Sequence, residues 1–215
     1  MTERPIPTKI YHITHVENIA SIVESGGLLS DAKMIEEGGP EVPVGMNEIK
    51  ARRLERPVKC HPPDKVGEYV PFFFCPRSIM LYIFHMDNHP GLTYHGGQRP
   101  IVHLEFDVDD LIASADEADV RWAFTNANAA AHYARFSSSI GDFGMIDWEA
   151  IPDHNFSGPR VKEAKQSEFL VKDVVPWELV ERIGVYSNSY KERTIEALEG
   201  AEHRPEVVVQ RGWYF

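Results

Sequence analysis

Segments of strand period and segments of helix period follow one another in this chain without strict alternation, and no glycine-rich phosphate loop follows any strand. That order argues against a doubly wound sheet and against a P-loop, and fits an α+β fold built on antiparallel sheets. Ile10-Tyr11-His12-Ile13 alternates as a short strand with His12 on the face opposite Tyr11. Thr14 to Glu17 has the spacing of a capping box, opening a helix with an apolar stripe of Val16, Ile19, Ile22 and Val23 that Gly26-Gly27 ends. Residues 30–48, with Gly38-Gly39-Pro40 and Pro43, read as a long surface loop leading into a basic helix near 47–56. Val70 to Phe74 reads as a strand, Ser78 to Phe84 as a helix and Ile101 to Phe106 as a strand, with Asp109 or Asp110 capping a short helix behind it. Trp122 to Phe124 is a brief strand, and Asn126 or Asn128 caps an alanine-rich helix reaching Phe136. Pro176 opens a short helix, Arg182 to Ser187 is a strand, Tyr190 to Leu198 an amphipathic helix, and Val207 to Val209 with Trp213-Tyr214-Phe215 closes the fold. With no internal repeat or linker, residues 1–215 read as a single domain.

The stretch from Lys165 to Val171 alternates Glu168 and Leu170 with Phe169 and Val171, a strand beginning near Ser167. The segment before it, 151–164, is rich in Pro, Asp, Asn and Gly and reads as a loop that delivers the Glu168 carboxylate onto a rigid strand. On these residues alone, a half-exposed strand glutamate with a solvent partner is the commoner outcome.

Charge narrows the classes of partner. A net charge of −11 argues against a protein that coats nucleic acid by bulk electrostatics. Between Lys50 and Lys59, however, Lys50, Arg52, Arg53, Arg56 and Lys59 face only Glu55, and Arg52, Arg53 and Arg56 stand at helical neighbour spacing. An anionic partner is expected there. No apolar run approaches the roughly 18 residues that span a membrane, so no membrane association is expected. No basic start precedes an apolar segment at the N-terminus and only Cys60 and Cys75 are present, so a cytoplasmic location is expected.

Three segments taken in order, Tyr11-His12-Ile13-Thr14-His15, Tyr69 to Tyr82, and Lys165-Gln166-Ser167-Glu168-Phe169-Leu170-Val171, resemble the DarT family, the DNA ADP-ribosyltransferase toxins of DarTG toxin–antitoxin pairs. The likeness runs from Ile10 to Phe215 and includes Tyr94 to Gln98 and the aromatic Gly212 to Phe215. It implies the ADP-ribosyltransferase fold, two small, mainly antiparallel sheets forming an NAD cleft with flanking helices. It implies Glu168 as the catalytic glutamate and Arg53 as a charge-stabilising partner. His12 and Thr14 then sit at the adenosine-side ribose of NAD, and Phe74, Met80 and Tyr82 on the nicotinamide wall. Gln166, Arg52 and Arg56 are expected to meet the DNA. NAD is the co-substrate and no metal is called for. The acceptor is a base of single-stranded DNA, with thymine first. A macrodomain antitoxin of DarG type is the implied partner of a monomeric toxin.

Other readings differ in what they predict. An ADP-ribosyltransferase acting on RNA or protein has the same NAD site and a different target loop. A non-catalytic nucleic-acid module using Lys50 to Lys59 would release no nicotinamide, and aromatic residues do not interleave with that cluster as stacking platforms would. A metal site at Cys60-His61 lacks Cys-x-x-Cys spacing.

Overall fold

The computed structural model describes residues 3–154 and 158–215; part of the 151–164 loop expected above therefore lies outside the described residues. The chain runs β1 (Lys9–His15), a 3-10 turn (Val16–Asn18), α1 (Ile19–Glu24), β2 (Gly27–Leu29), α2 (Asp31–Glu36) and α3 (Asn47–Glu55). It continues as β3 (Tyr69–Phe73), α4 (Ile79–Met86), β4 (Ile101–Asp107), α5 (Val108–Glu117), β5 (Trp122–Thr125) and β6 (Phe136–Ser137). The last third contributes α6 (Pro159–Ala164), β7 (Glu168–Lys172), β8 (Val174–Pro176), β9 (Arg182–Val185), α7 (Asn188–Ala197) and β10 (Glu206–Val209).

Eight strands lie in the order β10-β9-β4-β1-β3-β7-β5-β6, and β2 pairs β8 in a separate ribbon. β9 and β10 run parallel and the other neighbours antiparallel. β1 pairs β4 along its whole length, from Lys9↔Asp107 to His15↔Ile101, but meets β3 at Tyr11↔Phe73 alone. In place of the two small sheets expected from the sequence there are one large sheet, whose β1/β3 seam rests on a single register position, and the small β2–β8 ribbon. At the parting of the strands the His12 ring, not a backbone amide, satisfies Pro71: Nδ1 donates to the Pro71 carbonyl at 2.9 Å. A proline in β3 has no N–H to extend a ladder, so a side chain closes the hydrogen-bond account there.

The largest apolar cluster packs Ile10, Phe72, Phe106, Phe124 and Phe169, all at 0% exposure, against α1 and α5. A second gathers Met46, Leu81, Phe84, Leu92, Ile101 and Tyr214 around α4, and a third holds Val58, Val66, Tyr69 and Leu170 beneath α3. Gly67 lets α3 approach this third cluster: a Cβ there would stand 2.9 Å from the Leu54 Cα, closer than a side chain tolerates.

Several local expectations give way to tertiary contacts. Thr14 stays in β1 opposite Val102, so the capping role falls to His15, whose Nδ1 accepts from the Glu17 N–H at 3.3 Å. Within 30–48 the chain forms α2, capped by Ser30 Oγ, which accepts from the Lys33 N–H at 3.3 Å. α2 buries none of its own residues, so it carries no apolar stripe to read; Asp31 fixes it through ion pairs to Lys50 and Arg53 of α3. Asp107, not Asp109 or Asp110, caps α5, which extends to Glu117.

The alanine-rich helix expected over 126–136 is absent, and turns occupy 126–135 instead. Asn128 Oδ1 accepts from the Ala130 N–H and Asn126 Oδ1 from the Arg135 N–H, local bonds that compete with helical ones. The carbonyls of Ala131, His132 and Ala134 are taken by Arg56 and Lys59.

Candidate active site

Glu168 opens β7 and is 2% exposed. Its strand is held on both sides, by β3 and β5, so the carboxylate projects from a rigid base. Two donors from distant parts of the chain meet it. Arg53 Nη1 donates to Oε2 at 2.7 Å, and the Ala129 N–H donates to Oε1 at 2.8 Å. Thr125 Oγ accepts from the backbone N–H of Glu168 at 3.2 Å and ties β5 to the same point. A carboxylate buried in this way is acceptable because both oxygens are paired with charge or backbone dipole.

Arg53 belongs to α3 and is itself 6% exposed. Its Nε lies 3.7 Å from Asp31 Oδ2, beyond hydrogen-bond reach, and among the described residues Nε and Nη2 have no hydrogen-bond partner although both are buried. A buried guanidinium with unused N–H groups, beside a carboxylate, has the chemistry to bind an oxygen-rich ligand.

His12 stands at the parting of β1 and β3, half-buried, with its ring edge-on to Phe72. Burial holds its pKa below the ordinary histidine value, against the opposing pull of the Pro71 carbonyl. A carbonyl only accepts, so the ring proton is on Nδ1, and Nε2 of the neutral ring is a hydrogen-bond acceptor. Thr14 is buried at 5%, and its Oγ accepts from Asn18 Nδ2 at 3.1 Å. Asn18 in turn grips both the N–H and the carbonyl of Val42, so Thr14 anchors the segment between α2 and α3.

Phe74, expected on the nicotinamide wall, is in the core, 6% exposed and edge-on to Phe143 and Trp148. Its neighbour Phe73 differs. It is half-buried and lies directly opposite Glu168 in the β3/β7 register, and residues opposed in an antiparallel pair project from the same face. The period-2 alternation of Tyr69 to Phe73 against Glu168 to Lys172 carried this signal, but it needs the register, which the sequence does not state. Met80 is half-buried in the second apolar cluster, and the Tyr82 ring meets Phe215 at 5.1 Å in the same region.

Of the other expected residues, Arg52 is exposed on α3. Arg56 donates from Nη2 to the Ala131 carbonyl at 2.7 Å and lies with Nη1 3.2 Å from the His132 ring. Arg56 therefore fixes the loop that delivers the Ala129 N–H to Glu168, a role that only the fold reveals. Gln166 is half-buried two residues before Glu168, and its amide donates to the Lys162 carbonyl at 3.0 Å, at the end of α6. Lys165 beside it is buried, donates to the Ile151 carbonyl at 2.6 Å and has its pKa lowered by that burial. Among the described residues no group of three or more His, Cys, Asp or Glu side chains is placed to hold a metal ion.

Comparison with known proteins places this geometry. Residues 11–215 match the family model described as DarT, ssDNA thymidine ADP-ribosyltransferase. A DNA ADP-ribosyl transferase of Thermus aquaticus is 38% identical over 213 residues, covering 98% of this chain and 90% of its own length. The structure of Thermus sp. 2.9 DarT in complex with ADP-ribosylated ssDNA superposes with a TM-score of 0.89 at 33% identity, covering 100% of this chain and 99% of that one. The same Thermus protein in complex with NAD+ gives a TM-score of 0.82, again at 33% identity, covering 99% and 100%.

Proposed function

This chain belongs to the DarT family of ssDNA thymidine ADP-ribosyltransferases, and from that premise we propose that Glu168 and Arg53 transfer ADP-ribose from NAD to thymidine in single-stranded DNA. The observation that carries the assignment is the buried carboxylate of Glu168, held on one oxygen by Arg53 and on the other by the Ala129 N–H.

The mechanism follows from what these groups can do. NAD enters as substrate at the parting of β1 and β3. Nε2 of the neutral His12 ring accepts a ribose hydroxyl, and the spare N–H groups of Arg53 hold oxygen atoms of the diphosphate or ribose. Phe73 offers a ring face on the side of Glu168 for the nicotinamide. When the bond from the ribose C1′ to nicotinamide breaks, nicotinamide leaves with the bonding pair and positive charge develops on the sugar. The Glu168 carboxylate, fixed and desolvated, stabilises that charge by hydrogen bonding to the 2′-hydroxyl. A thymine ring nitrogen then bonds to C1′ and gives up its proton to Glu168, which serves as stabiliser and base in turn. Arg53 is a guanidinium and a very weak base, so its part is electrostatic.

In this reading Arg52, exposed on α3, meets a DNA phosphate, and Gln166 bonds a base edge once its amide leaves the Lys162 carbonyl. Base edges are accessible only in single strands or flipped nucleotides, which lets an acidic chain act with one basic patch. We further infer a cytoplasmic toxin whose partner is a DarG-type macrodomain antitoxin that removes the modification; co-expression with such an antitoxin is expected to restore growth.

The test is direct. Incubation with NAD and single-stranded oligonucleotides of varied sequence should yield ADP-ribosylated thymidine, located by mass spectrometry, and Glu168→Ala should yield none. Labelling of protein or RNA in place of DNA, or normal labelling by Glu168→Ala, overturns the reading.

A further inference from the structure

Resting on the reading of single-stranded DNA as acceptor, we propose that Tyr133, on the loop between β5 and β6, is a stacking platform for a nucleobase flanking the modified one. Among the described residues Tyr133 is the one aromatic side chain among the exposed large apolar residues, at 65% exposure. A lone exposed tyrosine means little in itself. Here it stands on the segment that also supplies the Ala129 N–H to Glu168 Oε1. Four residues of extended chain reach about 14 Å at most. The turns closed by the Ala131 N–H on the Asn128 carbonyl and the Ala134 N–H on the Ala131 carbonyl shorten that span. The Tyr133 backbone therefore lies well within about 14 Å of the Ala129 amide that holds Glu168.

The loop is also held rigidly for a segment so exposed. Arg56 and Lys59 bind the carbonyls of Ala131, His132 and Ala134, and Asn126 and Asn128 close it from within. A side chain carried on a fixed backbone loses little entropy when a ligand orders it, which is what a stacking surface requires. The charge around it suits a polyanion: Arg52 and Arg135 are exposed, and Arg56 and Lys59 lie on the tether, in a chain whose net charge is −11. Aromatic faces stack on any base, so Tyr133 adds affinity for the strand without selecting thymine.

The experiment compares the parent protein, Tyr133→Ala and Tyr133→Phe, with NAD saturating and a fluorescent thymidine-containing oligonucleotide varied. Loss of the ring should raise KM for the oligonucleotide by on the order of tenfold. Tyr133→Phe should behave as the parent, and the rise in melting temperature that NAD produces should be the same in all three proteins. Equal KM values for Tyr133→Ala and parent overturn the proposal, as does a Tyr133→Phe protein as impaired as the alanine variant. If the parent labels no oligonucleotide, the acceptor reading falls and this proposal with it; if the parent labels and Tyr133→Ala labels equally well, only the platform falls.

Discussion

Replacing Glu168 by glutamine preserves shape and removes one acceptor, and the surroundings of the side chain make the consequence calculable. Both partners of the carboxylate are donors: Arg53 Nη1 at 2.7 Å and the Ala129 N–H at 2.8 Å. An amide has one oxygen, so whichever way it is turned its NH2 group faces a donor. With the oxygen on Ala129, the Arg53 guanidinium, 8% exposed as a side chain, is left with Asp31 at 3.7 Å as the nearby carboxylate. Removing one member of a buried pair costs about 3–5 kcal/mol, and an unpaired buried donor about 1–3. Asp31 offsets part of the first figure, which leaves a loss of about 2–4 kcal/mol. For a chain of this size that is a fall in Tm of roughly 5–15 °C. Thermal unfolding followed by circular dichroism, with urea denaturation beside it, measures the loss. Adding Arg53→Leu to Glu168→Gln removes the stranded cation and should return part of the stability, which a double-mutant cycle quantifies. Catalytic groups often cost stability, so that their removal raises Tm. A Glu168→Gln protein melting at or above the parent temperature would refute the account of a fully paired carboxylate.

Other outcomes separate wall from core and native from unfolded protonation. Phe73→Ala should raise KM for NAD with little change in Tm, whereas Phe74→Ala, which empties space beside Phe143 and Trp148, should cost about 3–5 kcal/mol of stability and leave KM near the parent value. Arg56→Ala should lower kcat for transfer, because the loop that presents the Ala129 N–H loses its tether, and steady-state kinetics with saturating NAD reads that loss. Burial pushes His103 down to about 4 from the ordinary 6.5, so the unfolded chain binds a proton that the native ring refuses. Stability should therefore fall as pH drops from about 6.5 towards 4, by up to about 3 kcal/mol from this residue. His103→Gln keeps a donor for the Pro76 carbonyl and should flatten that part of the urea-unfolding profile. Gly67→Ala should push α3 away from Glu168 and reduce both stability and transfer, since its Cβ would meet the Leu54 backbone.

Local physics alone determined most of the strands of this protein and its basic helix. β-branched and aromatic runs at period 2 form β1, β3, β4, β5 and β7 where the alternation places them, and α3 forms over the basic segment as its spacing indicates. Motif order carried the family, and with it Glu168 as a candidate acid. What surrounds that acid was decided elsewhere in the chain. Arg53 meets Glu168 across a separation of 115 positions and Ala129 across 39, and no local pattern encodes either pairing. The 126–135 segment shows the limit most clearly: its alanines favour a helix by propensity, yet Asn126 and Asn128 bond their own backbone, and Arg56 and Lys59 draw the carbonyls outward. The phenylalanine facing the acid was likewise a matter of register, because shifting a strand by one residue exchanges Phe73 for Phe74 without changing a letter of the sequence. Sequence fixes which groups can form a site; only the packing of α3, the β5–β6 loop and β7 on one another brings a carboxylate, a guanidinium and a backbone amide to within hydrogen-bond reach.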